Sequence, residues 1–240
     1  MREPTEPVFE PFRTGRRYES SRVVRLGDAD ASGTLRLDGA ARFLQDVATD
    51  DWDDTGIASS DVWVVRRTTI RLAPGARWPR YGEHVTARTW CSGAGGAWAE
   101  RRTDLVVGAR VLVEGVALWV PTDASGRPVR LRDDFHDVYA ASVNGRKVSG
   151  RVGEAPVASD ATARPWQIRF ADLDVVGHVN NAAIWQAVSE VAPRDVVSVE
   201  LTHYAALERD DEVRLLVGRD GLWLVVQGIV RVGARFVDRG

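Results

Sequence analysis

The chain has 240 residues, of which 44% are hydrophobic and 28% charged, an ordinary balance for a globular protein with an apolar core. Its formal net charge of −2 provides no basic field for nucleic acid, and its single cysteine excludes an internal disulfide. No apolar run reaches the roughly 18 residues of a membrane span, and residues 1–18 lack the apolar stretch of a signal peptide. We therefore expect a cytoplasmic protein without a nucleic-acid partner or a membrane span.

The first half of the chain predicts a short strand, one helix and an antiparallel meander. The strand candidate is Arg22–Leu26, and apolar residues then recur with helical spacing from Ala40 to Ala48, before Gly56 ends the segment. Four β-rich runs separated by turn residues follow, and they are typical of antiparallel strands. These runs are Trp63–Leu72, Val85–Cys91, Trp98–Val107 and Arg110–Val120.

The middle of the chain is rich in proline, glycine and polar residues, which indicates a connector. We predict an N-terminal domain over residues 1–140, a linker over 141–163 and a C-terminal domain over 164–240.

The second half repeats the order of elements. Its predicted helix has apolar residues at 184, 187, 188 and 191, which correspond to 40, 43, 44 and 47 in the first helix after subtraction of 144. The connection after the first helix is longer, and this insertion over Asp50–Asp61 is expected to shape a pocket. The strands predicted in this half are Trp166–Phe170, Val196–Tyr204, Val213–Val217, Leu222–Val232 and Ala234–Val237, with a hairpin turn at 220–221.

A short motif occurs once in each half. The segments Asp28–Leu35 and Asp172–Val179 both contain Asp-x-Asp-x-x-Gly, but the next residue is Thr34 in the first and His178 in the second. An Asp-x-Asp before a helix is often only a turn and a helix cap. The difference between the copies nevertheless predicts a duplicated fold whose chemistry is kept in the second copy.

The residues around the second motif suit acyl transfer to water. Asp174 can activate a water or attack directly, and His178 can carry a proton. Asn180 and Asn181 are good capping residues, and a helix N-terminus offers unpaired N–H groups to a carbonyl oxygen that gains negative charge. This chemistry needs no bound cofactor, and the four histidines and one cysteine show no metal-site spacing.

The string Asp172–Asn181 resembles the active-site segment of hotdog-fold thioesterases. The first half is similar to that of acyl-acyl-carrier-protein thioesterases over four segments, Trp63–Arg67, Ile70–Leu72, Pro79–Glu83 and Arg88–Gly93. This resemblance implies an α+β fold of the tandem (double) hotdog type, in which two antiparallel sheets each wrap a central helix. The duplication would supply within one chain the partner that a single hotdog needs, and a homodimer of the whole chain is left open.

The resemblance also implies a function in fatty acid biosynthesis and lipid metabolism. The substrate would be an acyl chain linked to the phosphopantetheine arm of acyl carrier protein, and the product a free fatty acid. The first hotdog would select the acyl chain, and the second would hold the catalytic Asp174 and His178. The helix N-terminus at Val179 and Asn180 would stabilise the oxyanion. The supporting candidates are Asn181, Glu190, which is equally well explained as a polar group near the end of a helix, and His203.

Two positions depart from the plant members of this family. Val176 stands where the plant enzymes carry Asn, and Ala206 stands where they carry Glu, although Glu208 and Glu200 are near in sequence. Two alternatives therefore stay open: an acyl-CoA thioesterase on the same fold, and a non-catalytic acyl-binding or regulatory protein.

Overall fold

The computed structural model describes residues 13–58, 61–154, 156–175 and 177–237. The predicted departure at Val176 therefore lies outside the described residues. The described chain forms three α-helices and ten strands, which are α1 (Leu37–Thr55), α2 (Asp133–Val143), α3 (Asn181–Val191), β1 (Tyr18–Val23), β2 (Val62–Leu72), β3 (His84–Ala94), β4 (Ala99–Val107), β5 (Arg110–Thr122), β6 (Thr162–Trp166), β7 (Ser198–His203), β8 (Val213–Gly218), β9 (Gly221–Val226) and β10 (Ile229–Val237).

The two halves of the chain have the same topology, which confirms the predicted duplication and the α+β class. The strand order is β1-β3-β4-β5-β2 in the first half and β6-β8-β9-β10-β7 in the second. The two predicted sheets are joined edge to edge, because β2 pairs with β7 from Arg67↔Thr202 to Arg71↔Ser198. The result is one antiparallel sheet of ten strands in which α1 and α3 hold equivalent positions.

The main hydrophobic core is shared by both halves. Val47 on α1, Ala187 on α3 and Leu201 on β7 are fully buried and belong to one cluster. This packing explains the matched helical registers in the sequence, because the same apolar positions of each helix face that cluster. Within the described ranges, no helix is long and apolar enough to cross a bilayer.

Helix α1 is longer than α3, with 19 residues against 11. The eight extra residues add about 12 Å at 1.5 Å per residue. The helix ends at Gly56, which adopts a φ of +68°, as the left-handed C-cap of a helix requires. Much of the predicted insertion after the first helix is therefore a continuation of that helix, and it carries Trp52.

Helix α2 was not predicted, and it crosses the predicted domain boundary at residue 140. Its Phe135 and Tyr139 are buried in a second, smaller cluster with Cys91 and Ala94 on β3. The i, i+4 spacing of these two aromatic residues is the helical signal, but it is confined to a short segment next to many turn residues.

Two strand predictions in the second half were wrong. The predicted strand Leu222–Val232 is a hairpin, because Gln227 and Gly228 have φ values of +49° and +80° and turn the chain between β9 and β10. Apolar residues continue on both sides of this turn, so the segment has the composition of a single strand. The predicted strand Trp166–Phe170 ends at Trp166, and Phe170 begins a 3₁₀ turn.

Candidate active site

The two motif loops have the same backbone geometry. In the second loop the N–H of Asp174 donates to the carbonyl of His178 at 2.9 Å, and the N–H of Gly177 donates to the carbonyl of Asp174 at 3.0 Å. The residues numbered 144 lower make the same two bonds at 2.8 and 2.9 Å. Gly177 has a φ of +85°, which favours glycine at this tight turn. The Oδ1 atom of Asp174 also accepts from the N–H of His178 at 3.2 Å, so the aspartate and the histidine share one rigid turn.

The oxyanion role predicted for Val179 and Asn180 needs correction. The N–H of Val179 donates to the carbonyl of Leu207 at 3.1 Å, and the N–H of Asn180 donates to the carbonyl of Asp172 at 2.8 Å. Both amides are therefore used to anchor the loop and are not open to a substrate oxygen.

The N-terminus of α3 leaves other donors free. Asn180 caps the helix, since its Oδ1 accepts from the N–H of Ala182 at 2.8 Å and its carbonyl accepts from the N–H of Ile184 at 3.2 Å. Among the described residues the N–H groups of Asn181 and Ala183 have no such partner. The positive end of the helix dipole adds to these donors, so this helix end suits a developing negative charge.

A carboxylate that sequence reasoning did not place in the site lies beside the histidine. The Oε1 atom of Glu208 is 3.8 Å from Nε2 of His178, and both side chains are about half exposed, at 56% and 54%. Glu208 reaches this point because Leu207, the preceding residue, is buried and its carbonyl bonds to Val179. The carboxylate beside His178 therefore comes from the residue two positions after Ala206, where the plant enzymes carry Glu.

The equivalent helix N-terminus in the first half is sealed, because Leu37, Asp38 and Gly39, its first three residues, are all buried. Asp38, the second residue of α1, is 1% exposed, and its carboxylate accepts from Arg36, Arg42 and Ser189 at 2.8 to 3.0 Å. Burial would raise the pKa of Asp38, but Arg36 and Arg42 hold it below its usual value. An ionised carboxylate therefore occupies the end of α1, where the corresponding residue of α3 is Ala182.

Two of the supporting candidates have no hydrogen bond to the motif loop among the described residues. Glu190 lies near the far end of α3, about 14 Å along the helix axis from Asn181 at 1.5 Å per residue. His203 ends β7 and is 7% exposed, and its Nε2 has no hydrogen-bond partner among the described residues. Burial, with a smaller effect of Arg66, lowers the pKa of His203 to about 4, so it is a neutral core side chain at pH 7.

Two neighbouring cavities lie in the first half, and one of them reaches the start of α3. This inter-helix cavity, of about 30 Å³, lies between α1, α3 and the sheet and includes Gln45, Asn181 and Ala182 in its lining. The tryptophan cavity, of about 170 Å³, has Trp52, Trp63 and Trp119 in its lining. The residues that line both cavities, and so make them neighbours, are Ala48, Arg101 and Trp119.

The wall of the tryptophan cavity contains a buried ion pair and the single cysteine. Arg101 bonds to Asp51 at 2.6 Å, and the hydroxyl of Tyr139 donates to the same carboxylate at 2.9 Å. These contacts hold the charged groups against the wall. Burial raises the pKa of Cys91 to about 11, so its thiol is protonated at neutral pH and is a poor nucleophile. The described residues contain no group of three or more His, Cys, Asp or Glu that could hold a metal ion.

Comparison with known proteins assigns the chain to a family. The model of the acyl-ACP thioesterase N-terminal domain matches residues 15–139, and that of the C-terminal domain matches residues 157–218. The uncharacterized protein Rv2001 of Mycobacterium tuberculosis is 30% identical over 177 residues, which are 72% of this chain and 69% of that protein.

Solved structures show the same fold. The 12:0-ACP thioesterase from Umbellularia californica has a TM-score of 0.75 and 18% identity, with 93% of this chain and 97% of that chain covered. An acyl-ACP thioesterase from Bacteroides thetaiotaomicron has a TM-score of 0.76 and 15% identity, with coverages of 92% and 97%. At these sequence identities the similarity shows a shared fold.

The duplicated topology and the family match together define a double-hotdog thioester hydrolase. The chain belongs to the acyl-ACP thioesterase family, as the resemblance of its motifs implied.

Proposed function

We propose that this chain hydrolyses fatty acyl-acyl-carrier-protein thioesters to free fatty acids with Asp174, His178 and Glu208 of its second half. The observation that carries the proposal is the contact between Glu208 and His178 beside the open N-terminus of α3. It supplies a carboxylate to a motif that lacks one at position 206, and it favours an active enzyme over a non-catalytic acyl-binding protein.

Each group of the site has a role in the attack of water on the thioester. Asp174 takes a proton from the water as its oxygen bonds to the carbonyl carbon. The carbonyl oxygen gains negative charge and is stabilised by the N–H of Asn181 and by the dipole of α3. His178, whose Nε2 lies 3.8 Å from Glu208, delivers a proton to the departing sulfur as the carbon–sulfur bond breaks. The products are the carboxylic acid and the free thiol of the carrier arm.

The acyl chain would lie in the two neighbouring cavities. The inter-helix cavity begins at Asn181 and Ala182, where the thioester is placed, and the tryptophan cavity continues it into the first half. Small-molecule sites are mostly apolar with few polar groups, and alanine and tryptophan are the commonest residues in the two linings. This placement supports the role in acyl-chain selection expected for the first hotdog.

Carrier protein is preferred to CoA as the acyl donor in this proposal because the chain belongs to the acyl-ACP thioesterase family. Hydrolysis rates with one acyl chain on carrier protein and on CoA separate the two donors, and equal or higher efficiency with CoA would favour the alternative.

The proposal is tested with a matched pair of variants. Asp174→Asn should lower kcat by about 10²- to 10⁴-fold, the usual contribution of a general base. Asp30→Asn makes the same change in the sealed copy and should leave kcat unchanged. Full activity of Asp174→Asn would overturn the assignment, and tight thioester binding by the wild type without turnover would favour a regulatory protein.

The cytoplasmic location and the oligomeric state stay predictions. Cell fractionation with an antibody to the chain tests the first, and light scattering coupled to size exclusion measures whether the whole chain forms a homodimer.

A further inference from the structure

We propose that Gln45, on α1 in the first half of the chain, contacts the substrate carbonyl in the active site of the second half. The proposal rests on the function proposed above and adds a residue from the half that lacks the catalytic motif. Gln45 would donate a hydrogen bond from its side-chain amide to the thioester oxygen.

The first argument is position. Gln45 lines the inter-helix cavity together with Asn181 and Ala182, the first two residues of α3. Its side chain is only partly buried, and among the described residues no group is hydrogen-bonded to its amide. The amide is therefore available at the helix end where the carbonyl oxygen is placed.

The second argument is the internal symmetry of the molecule. Ser189 on α3 is the equivalent of Gln45, 144 residues later, and it reaches the N-terminus of α1. Its hydroxyl accepts from the N–H of Asp38 at 3.2 Å and donates to the carboxylate of Asp38 at 3.0 Å. Asp38 is in turn the equivalent of Ala182.

The offset of 144 residues that relates the two halves makes the contact of Ser189 with Asp38 equivalent to a pairing of Gln45 with Ala182. In the first half this cross-helix position holds a carboxylate that belongs to the protein. In the second half Ala182 has only a methyl group, so the polar side chain opposite it has no protein anion to bind. A substrate oxygen that becomes negative would take the place that the Asp38 carboxylate holds in the sealed copy.

The chemistry of an amide fits this role. The side chain of glutamine carries two N–H donors and a carbonyl acceptor, and it does not titrate. A donor aimed at the oxygen matters most when that oxygen is charged, so its loss should lower kcat and change KM little. Glutamate at this position would replace the donors by an anion and should be worse than an apolar side chain at neutral pH.

The experiment compares three variants with the wild type in steady-state hydrolysis of one acyl-carrier-protein substrate. Gln45→Leu should lower kcat by about 10²- to 10³-fold with KM within about threefold, the range expected for loss of one oxyanion donor. Gln45→Glu should fall further at pH 8 and recover relative to wild type as the pH is lowered, because a protonated carboxyl is again a donor. Ser189→Ala alters the same helix pair at the sealed end and should keep the wild-type kcat.

The outcomes separate this inference from the proposed function. A wild type that hydrolyses and an Asp174→Asn variant that does not, with Gln45→Leu within twofold of wild-type kcat, would overturn the role of Gln45 and leave the function intact. Absence of hydrolysis in the wild type would instead reject the function. If Gln45→Leu does not fold, the pH dependence of the nearly isosteric Gln45→Glu decides, and an unchanged profile overturns the role.

Discussion

Single-residue differences between the two motif loops separate an open helix end from a sealed one. His178 corresponds to Thr34, and Ala182 corresponds to the buried Asp38. The carbonyl of Pro79 holds the first loop as the carbonyl of Leu207 holds the second, so Arg80 takes the place of Glu208. The same backbone therefore presents a carboxylate and an imidazole in one half, and a guanidinium and a hydroxyl in the other.

Replacement of Glu208 tests the contact that completes the motif. Glu208→Gln should lower kcat by about 5- to 10-fold, because a half-exposed pair near 4 Å is worth only about 1 kcal/mol. The matched change Glu200→Gln, at a half-exposed site on β7 whose partner is Arg67, should keep kcat. Equal rates for Glu208→Gln and wild type would remove Glu208 from the site.

His203 should make the protein sensitive to acid. Its pKa is about 4 in the folded protein against a usual 6.5, so the unfolded chain binds more protons between these values. The free energy of unfolding should therefore fall by about 3 kcal/mol from this group as the pH drops from 6.5 to 4, and no further below that range.

The measurement is urea unfolding at pH 7 and at pH 4.5. His203→Gln should lose less stability between the two pH values than the wild type, while the exposed His84→Gln should lose as much as the wild type. A similar loss for His203→Gln would mean that the buried histidine is not the acid-sensitive group.

The two central helices differ in length and in the state of their N-termini. The N-terminus of helix α3 is capped by Asn180 and partly exposed, whereas α1 begins beside the buried carboxylate of Asp38. The extra length of α1 carries Ala48, Thr49 and Trp52 along the tryptophan cavity. In the proposed mechanism, α3 would provide the reaction site and α1 the wall along which the acyl chain would lie.

Filling the cavity from α1 should change the acyl chains that are accepted. Ala48 lines both cavities, and Ala48→Phe would place a ring where they meet. We expect kcat/KM to fall for long chains and to hold for short ones in a panel of acyl-carrier-protein substrates. Ala163→Phe on the exposed face of β6 adds the same volume outside the cavities and should leave the chain-length profile unchanged. An unchanged profile for Ala48→Phe would place the acyl chain elsewhere.

The whole molecule is built from two copies that share one sheet and one core. The sheet is continuous through the pairing of β2 with β7, and one core cluster contains residues of both helices. Each half would expose a sheet edge and a helix face if it were alone, and exposed edges and apolar faces favour association. The active site proposed here also needs both halves, since its cavities lie mainly in the first and its motif in the second.

Cleavage of the connector should leave the assembly intact. A protease site inserted between Ser159 and Asp160, in an exposed turn, would cut the chain without removing a core contact. The nicked protein should elute as one species on size exclusion and keep at least half of the uncut activity. Separation of the fragments, with loss of hydrolysis, would show that the connector and not the seam holds the halves together.

Local patterns were enough to predict the duplication, the two equivalent helices and the motif loop. Apolar residues at 40, 43, 44 and 47 and their counterparts in α3 face one core, and such a periodicity is visible in a single sequence. The glycines of the motif and Gly56 also mark backbone turns that can be recognised in the sequence, because a positive φ favours glycine. Helix α2 and the turn at Gln227 were missed because their signals are short. Turn residues surround the helix, and apolar residues surround the turn.

The sequence by itself thus determined the duplication and the placement of Asp174 and His178 on one turn, which depend on residues close together in the chain, and its resemblance to a known family implied the double hotdog. Only the tertiary structure decided which groups surround that turn. Glu208 lies beside His178, and Gln45 reaches the start of α3, because loops and helices far apart in sequence pack together. Contacts of this kind depend on the register of a loop and the crossing of two helices, and neither leaves a periodic trace in the amino-acid sequence.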